Sequence, residues 1–181
     1  ESSSLVASAA VVSDGILTAE YTVNFKKTHS QTLLPMIHEI VNMLEMDLRS
    51  LDAIAVAGGP GSFTGLRIGG ATAKGLGLAL KKPLVRVPTV EAMAYNLWGS
   101  SALVCPIMDA RRNQVYTGLY HVEEGLEEVR WQCAMDMGEL IRILNGMGET
   151  VIFLGDGVDV CRPQIEEEMK ISGSQYFTGY V

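Results

Sequence analysis

The sequence is poor in the residue types on which several kinds of function depend. It holds 3 cysteines in 181 residues, Cys105, Cys133 and Cys161, and none forms a CxxC pair. A ribbon-type zinc site and a thioredoxin-like motif are thereby excluded, and the thiols read as reduced core residues. The 3 histidines, His29, His38 and His121, are far apart and none has metal-binding spacing. Positive charge is outnumbered, with 14 Lys and Arg against 21 Asp and Glu. A formal net charge of -7 argues against gripping nucleic acid by this chain alone, because phosphate contacts need clustered Lys and Arg. No apolar run approaches the ~20 residues of a membrane-spanning helix, and no basic start followed by an apolar stretch reads as a signal peptide. These absences predict a soluble, cytoplasmic chain. An initiator methionine is lacking too: residue 1 is Glu.

What is present is a globular composition, 48% hydrophobic with 19 glycines. The length suits one large domain or two small ones. Residues 5–12 are small, apolar and β-branched, and 16–25 alternate apolar and polar side chains. Asp14-Gly15 between them is a strong hairpin signal, since such turns need positive φ. A helix is predicted over 32–46, with Leu33, Ile37, Ile40, Val41, Leu44 and Leu48 on one face. Pro35 is tolerable there only within a first turn. A buried strand over 51–57 leads into GGPGSFTG and a helix over 66–80, then a strand over 84–87 and a helix over 90–98.

The second half repeats the order. A strand over 102–108 ends in Asp109-Ala110-Arg111-Arg112, and 114–121 with 126–133 form a hairpin around Glu124-Gly125. A helix over 137–144, a strand over 151–154, the turn Gly155-Asp156-Gly157 and a polar helix carrying Glu166, Glu167 and Glu168 follow. Asp109 precedes its hairpin glycine by 16 positions, and Glu1 precedes Gly15 by 14. Glu1 is therefore expected where a first strand ends, the strand itself lying outside the sequence. The second half stops soon after one helix, so a C-terminal cut is expected as well. Alternating helices and strands with hairpins imply an α/β fold with mixed sheets flanked by helices. Its two copies suggest a duplicated ribonuclease-H-like (actin-like, ASKHA) architecture, with subdomains at 1–100 and 101–181.

The richest segment for chemistry is GGPGSFTGLR. It joins a buried strand to a helix, where free N–H groups and the helix dipole favour an anion. It is not a Walker A loop, because no Gly-Lys-Ser/Thr follows. It is not G-x-G-x-x-G either, since Thr64 stands in the third glycine position. Nor is it the hydrolase G-x-S-x-G. Gly61, Ser62, Thr64 and Arg67 are the candidate anion or nucleotide contacts, and a turn without ligand stands beside that reading. Asp109 and Arg111 join the candidates from the second half, with an internal salt bridge as the alternative. In the helix after the loop, Gly65, Gly69, Ala73 and Gly77 recur every four residues. Helical glycine costs about 0.5–1 kcal/mol, so close approach of another backbone is implied, either from this chain or from another.

Three segments, THSQTLLPMI from Thr28, LDAIAVAGGPGSFTGLRIGGATAKGLGLAL from Leu51 and MDARRNQVY from Met108, resemble the bacterial TsaB (YeaZ) family. The opening ESSS is similar to the D-T-S or E-S-S that follows that family's first strand. The resemblance implies an actin-like duplicated fold and a noncatalytic scaffold in the pathway that installs threonylcarbamoyladenosine on tRNA. It implies binding to the catalytic relative TsaD and the ATPase TsaE, a homodimer when alone, and tRNA met only through the complex. Contacts through the first two helices would make His29, Leu33, Met36, Gly65, Gly69, Ala73 and Gly77 a partner or dimer interface. TsaD carries H-M-E-G-H, where Thr89 and Met93 here replace the metal-binding histidines, so no metal and no cofactor are expected. Gly155-Asp156-Gly157 stands near where actin-like ATPases hold adenosine, and its carboxylate would repel phosphate. The competing readings are an actin-like nucleotide hydrolase or kinase and a glycoprotease-like peptidase.

Overall fold

The computed structural model describes residues 1–25 and 28–177. The chain divides into two units, Glu1–Pro88 and Thr89–Val181. The expected division near residue 100 thus falls after Pro88. The cause is packing: Val90, Met93 and Ala94 are buried with Val104 and Tyr120 of the second unit.

In the first unit, β1 (Ala7–Ser13) and β2 (Ile16–Val23) form an antiparallel hairpin. Asp14 and Gly15 turn it with φ of 52° and 77°, as their residue types allow. Helix α1 (His29–Met43) buries Leu33, Met36 and Ile40 and packs on the hairpin. It begins before residue 32, which places Pro35 in its second turn rather than its first. The lost Pro35 N–H bond is outweighed there by the apolar face that the helix buries. A 3-10 turn, Leu48–Ser50, leads to β3 (Ile54–Ala57). Helix α2 (Phe63–Leu80) follows, with Ser62 Oγ accepting from the Gly65 N–H at 3.3 Å and Lys81 closing it in the left-handed region. Strand β4 (Leu84–Val87) pairs parallel with β3. The hairpin and the β3–β4 pair are separate two-stranded sheets.

The second unit opens with α3 (Thr89–Ala94) and a 3-10 turn, Tyr95–Leu97. It builds one five-stranded sheet from β5 (Leu103–Arg111), β6 (Gln114–His121), β7 (Glu127–Asp136), β8 (Val151–Leu154) and β9 (Gln175–Phe177), in the order β7-β6-β5-β8-β9. Helices α4 (Met137–Met147) and α5 (Gly157–Glu168) complete it. Asp136 caps α4 by accepting from the Gly138 and Glu139 N–H groups at 2.9 and 3.2 Å. The central strand β5 is buried from Leu103 to Met108. Leu103, Cys105 and Ile107 face one cluster with Leu140, Ile141, Leu144 and Ile165. Val104 and Met108 face the other, with Val90, Met93 and Tyr120. Alternation along a strand produces this two-sided burial. The chain tail beyond residue 177, on which the expectation of a C-terminal cut rested, lies outside the described residues.

Candidate functional site

The candidate residues of the first unit gather around its two helices and the loop before α2. A short N-terminal segment ties this region together. Ser2 and Ser3 are buried, Ser2 Oγ donates to the Gly65 carbonyl at 2.9 Å, and the Ser62 N–H donates to the Ser3 carbonyl at 2.6 Å. The Gly59–Pro60 peptide between strand and helix is cis. Gly61 (φ 153°) lies against Ser3, so close that a Cβ there would come within 2.6 Å of the Ser3 carbonyl. Ser62 caps α2, and Arg67 lays its guanidinium 4.3 Å from the centre of the Phe63 ring. Thr64 is exposed in the first turn. One N–H that an anion would need is therefore already bonded to Ser3, and Ser62 is engaged as a cap.

Leu33, Met36, Gly65, Gly69, Ala73 and Gly77 are all buried inside the first unit. A Cβ on Gly69 would lie 2.6 Å from Ser2 Oγ, and one on Gly77 would lie 2.8 Å from the Leu84 side chain. The stripe of small residues lets α2 settle onto its own chain, which explains the glycines without a second protein. His29 is half-buried at the start of α1, with Nε2 2.8 Å from the Ser4 carbonyl oxygen.

The outward face of α2 is a different matter. Phe63 is 70% exposed and Leu78 83% exposed. Between them, Arg67 and Lys74 are exposed, and a Cβ on Gly70 or Gly75 would meet nothing within 4 Å. Among the described residues nothing closes on those two positions to require glycine, although each costs helix stability. The series 63, 67, 70, 74, 78 has helical spacing and could have been found in the sequence. Leu34 and Met43 are exposed on α1.

Asp109 and Arg111 belong to the second unit. The Asp109 N–H donates to Asp156 Oδ1 at 3.2 Å, and Asp109 Oδ1 accepts from the Arg111 N–H at 2.7 Å. Gly155 and Gly157 lie against the Ile107 carbonyl. Burial pushes the Asp156 carboxyl above its ordinary value of 3.8, against the N–H of Asp109, which favours the charged form. Burial also raises the thiol of Cys105 to about 12 and that of Cys161 to about 11, which makes both poor nucleophiles. Thr89 and Met93 are buried in α3, a hydroxyl and a thioether that do not make a hard-metal donor set. Among the described residues no group of three or more His, Cys, Asp and Glu side chains could hold a metal ion. No described helix is long and apolar enough to cross a membrane.

Comparison with known proteins adds the following. The family described as "TsaD: tRNA N6-adenosine threonylcarbamoyltransferase" matches residues 19–176. The tRNA threonylcarbamoyladenosine biosynthesis protein TsaB of Bacillus subtilis is 36% identical over 91% of this chain and 72% of its own length. The protein of the same name from Escherichia coli is 35% identical over 65% of this chain and 51% of its own length. The solved structure titled "YeaZ from Pseudomonas aeruginosa" superposes with a TM-score of 0.81 at 24% identity, covering 97% of this chain and 80% of that one. At that identity the likeness speaks for the fold, a mixed α/β arrangement of helices and sheets.

Proposed function

The chain belongs to the TsaB (YeaZ) family of tRNA threonylcarbamoyladenosine biosynthesis proteins, and from that premise we propose that it is a noncatalytic scaffold in threonylcarbamoyl transfer to tRNA adenosine. Its partner is a TsaD-family transferase, with a TsaE-type ATPase joining the pair in the cytoplasm and tRNA reached only through them. The net charge of -7 fits a subunit that leaves phosphate contacts to others. The architecture is taken as a duplicated, actin-like one, on the repeat of strand pairing in the two units.

The observation that carries the reading is the outer face of α2. Phe63 and Leu78 are large apolar side chains held out from the chain, with Gly70 and Gly75 lowering the surface between them. Such a face admits a partner helix at close range. The outer faces of α1 and α2 replace the buried stripe as the proposed docking surface, for the transferase or for a second copy when the protein is alone. Among the described residues no group of three or more His, Cys, Asp and Glu side chains could hold a metal ion, and the raised thiols of Cys105 and Cys161 are poor nucleophiles, which supports the scaffold reading over a metal- or thiol-dependent peptidase.

Affinity capture with a TsaD homologue tests this. The unmodified chain should retain the transferase. Leu78→Asp should lose it while keeping its thermal transition, because Leu78 is 83% exposed. Capture undiminished by Leu78→Asp would remove this surface from the account. Calorimetry with ATP and magnesium tests the other side: binding in the micromolar range by the isolated chain would contradict a scaffold without its own nucleotide site.

A further inference from the structure

Charge is unevenly placed along this acidic chain. Between Asp52 and Glu91 fall five of its 14 basic side chains, Arg67, Lys74, Lys81, Lys82 and Arg86, and none of its 21 acidic ones. Three of the five have a use within the first unit. Lys81 and Lys82 stand at the C-terminal end of α2, where cations offset the helix dipole. Arg86 donates through Nε and Nη2 to the Gly58 carbonyl at 3.1 and 2.9 Å. Arg67 and Lys74 differ from these. Both are exposed within the body of α2, and among the described residues neither forms an ion pair. The helix itself carries no carboxylate to meet them. Stacking on Phe63, at 4.3 Å, uses the face of the Arg67 guanidinium and leaves the N–H donors at its rim.

The two cations are seven residues apart, two turns, or about 10.5 Å along the helix axis. With Phe63, Gly70 and Leu78 they follow the three-and-four spacing of a helix–helix seam. Phe63 and Leu78, large, apolar and exposed, stand at the two ends of the strip. A neighbouring helix laid along it would exclude water there, which strengthens an ion pair. Only two cations stand between Phe63 and Leu78, too few for the clustered contacts of a nucleic acid. Resting on the reading of α2 as a docking face, we propose that this strip selects an acidic helix on the catalytic partner, with carboxylates seven residues apart set against Arg67 and Lys74. A second copy of the chain matches the strip poorly. It brings the same two cations, and its α1 holds one carboxylate, Glu39. Like charges would meet across a two-fold contact between α2 helices. The cations thus set specificity, while Phe63 and Leu78 supply contact area.

Binding of the full chain to a TsaD homologue, measured across a range of NaCl, tests this. Raising NaCl from about 0.05 M to about 0.5 M should weaken the unmodified chain about tenfold, and Lys74→Gln only about threefold. Lys74→Glu should bind about tenfold more weakly or worse at low salt, with its thermal transition unmoved. A merely structural role for Lys74 would leave the salt response as it was. Equal binding by Lys74→Glu, or a salt response unchanged by Lys74→Gln, would overturn the proposal. So would tRNA retained on a filter by the unmodified chain alone and released by Lys74→Glu, which would assign the cations to phosphate. Self-association that Lys74→Glu weakens, read by sedimentation velocity, would assign them to a second copy and overturn it equally. Leu78→Asp separates the proposal from the reading beneath it. Binding lost with Leu78→Asp but kept with Lys74→Glu would leave the docking face standing and remove its charge selection. Binding kept by both variants would remove the face itself.

Discussion

In the second unit β5 lies between β6 and β8 and all side chains from Leu103 to Met108 are buried; in the first unit no described strand lies between β1 and β3, and neither β3 nor β4 has a buried residue. The order of elements is the same, and so is the sense of strand pairing, antiparallel on one side and parallel on the other. The difference shows how much of an α/β core depends on its central strand, which is apolar on both faces and joins two packing layers. Around β5 there are two buried clusters, one under α4 and α5 and one under α3. In the first unit, α1 and α2 bury only narrow stripes, Leu33, Met36 and Ile40 on one and Gly65, Gly69, Ala73 and Gly77 on the other.

The contrast can be broken most sharply with one chemistry in both units. Leu140→Ala, in the closed core under β5, should cost about 4 kcal/mol, and Leu33→Ala, in the first unit, about 2 kcal/mol, because the more open site relaxes more easily. Denaturant unfolding measures both, and equal losses would mean that the first unit is as tightly packed as the second. Helix caps come next. Asp136→Ala removes two bonds from α4 and should cost about 1–2 kcal/mol, while Ser62→Ala removes a single longer bond from α2 and should cost about 0.5 kcal/mol.

Smaller still is the effect of a methyl group on the two sides of α2. Gly75→Ala points into open space and should stabilise by about 0.5–1 kcal/mol, whereas Gly69→Ala meets Ser2 Oγ and should destabilise by about 1 kcal/mol. Thermal unfolding of the pair decides whether the inward stripe packs as described. The smallest effect belongs to Asp156. Its folded value lies above 3.8, so the folded state holds the proton more tightly than the unfolded one. Its contribution to stability is full below 3.8 and is lost as pH rises through the raised folded value. Asp156→Asn should flatten that part of the stability profile, and an unchanged profile would show that the carboxyl is not desolvated.

Much of this was legible in the sequence because it depends on local chemistry. Asp14-Gly15 announced its hairpin, and the strands Leu84–Val87, Gln114–His121 and Val151–Leu154 fall where their apolar runs predicted. The helix starts were less visible. Helix α1 begins at His29 after an uncapped Thr28, and α2 at Phe63, so both run earlier than their apolar periodicity suggested. Strand β9 was not anticipated, being three residues long and supported by pairing with β8. The glycines of α2 were plain in the sequence, but not the direction in which each set points. That direction is set by Ser2, which meets the helix from far along the chain, and by Val56 and Leu84 on the strands either side of it. The same long-range placement turned the proposed interface from Gly69 and Ala73 to Phe63 and Leu78.

The claim that the protein works by holding a catalytic partner is tested most directly in a reconstituted tRNA-modification assay, with threonylcarbamoyladenosine measured as product. Product should form with the TsaD homologue and this chain together, and not with this chain alone. Leu78→Asp should lower it by about tenfold or more without moving the thermal transition. Product formed by this chain without the transferase, or undiminished by Leu78→Asp, would contradict the account.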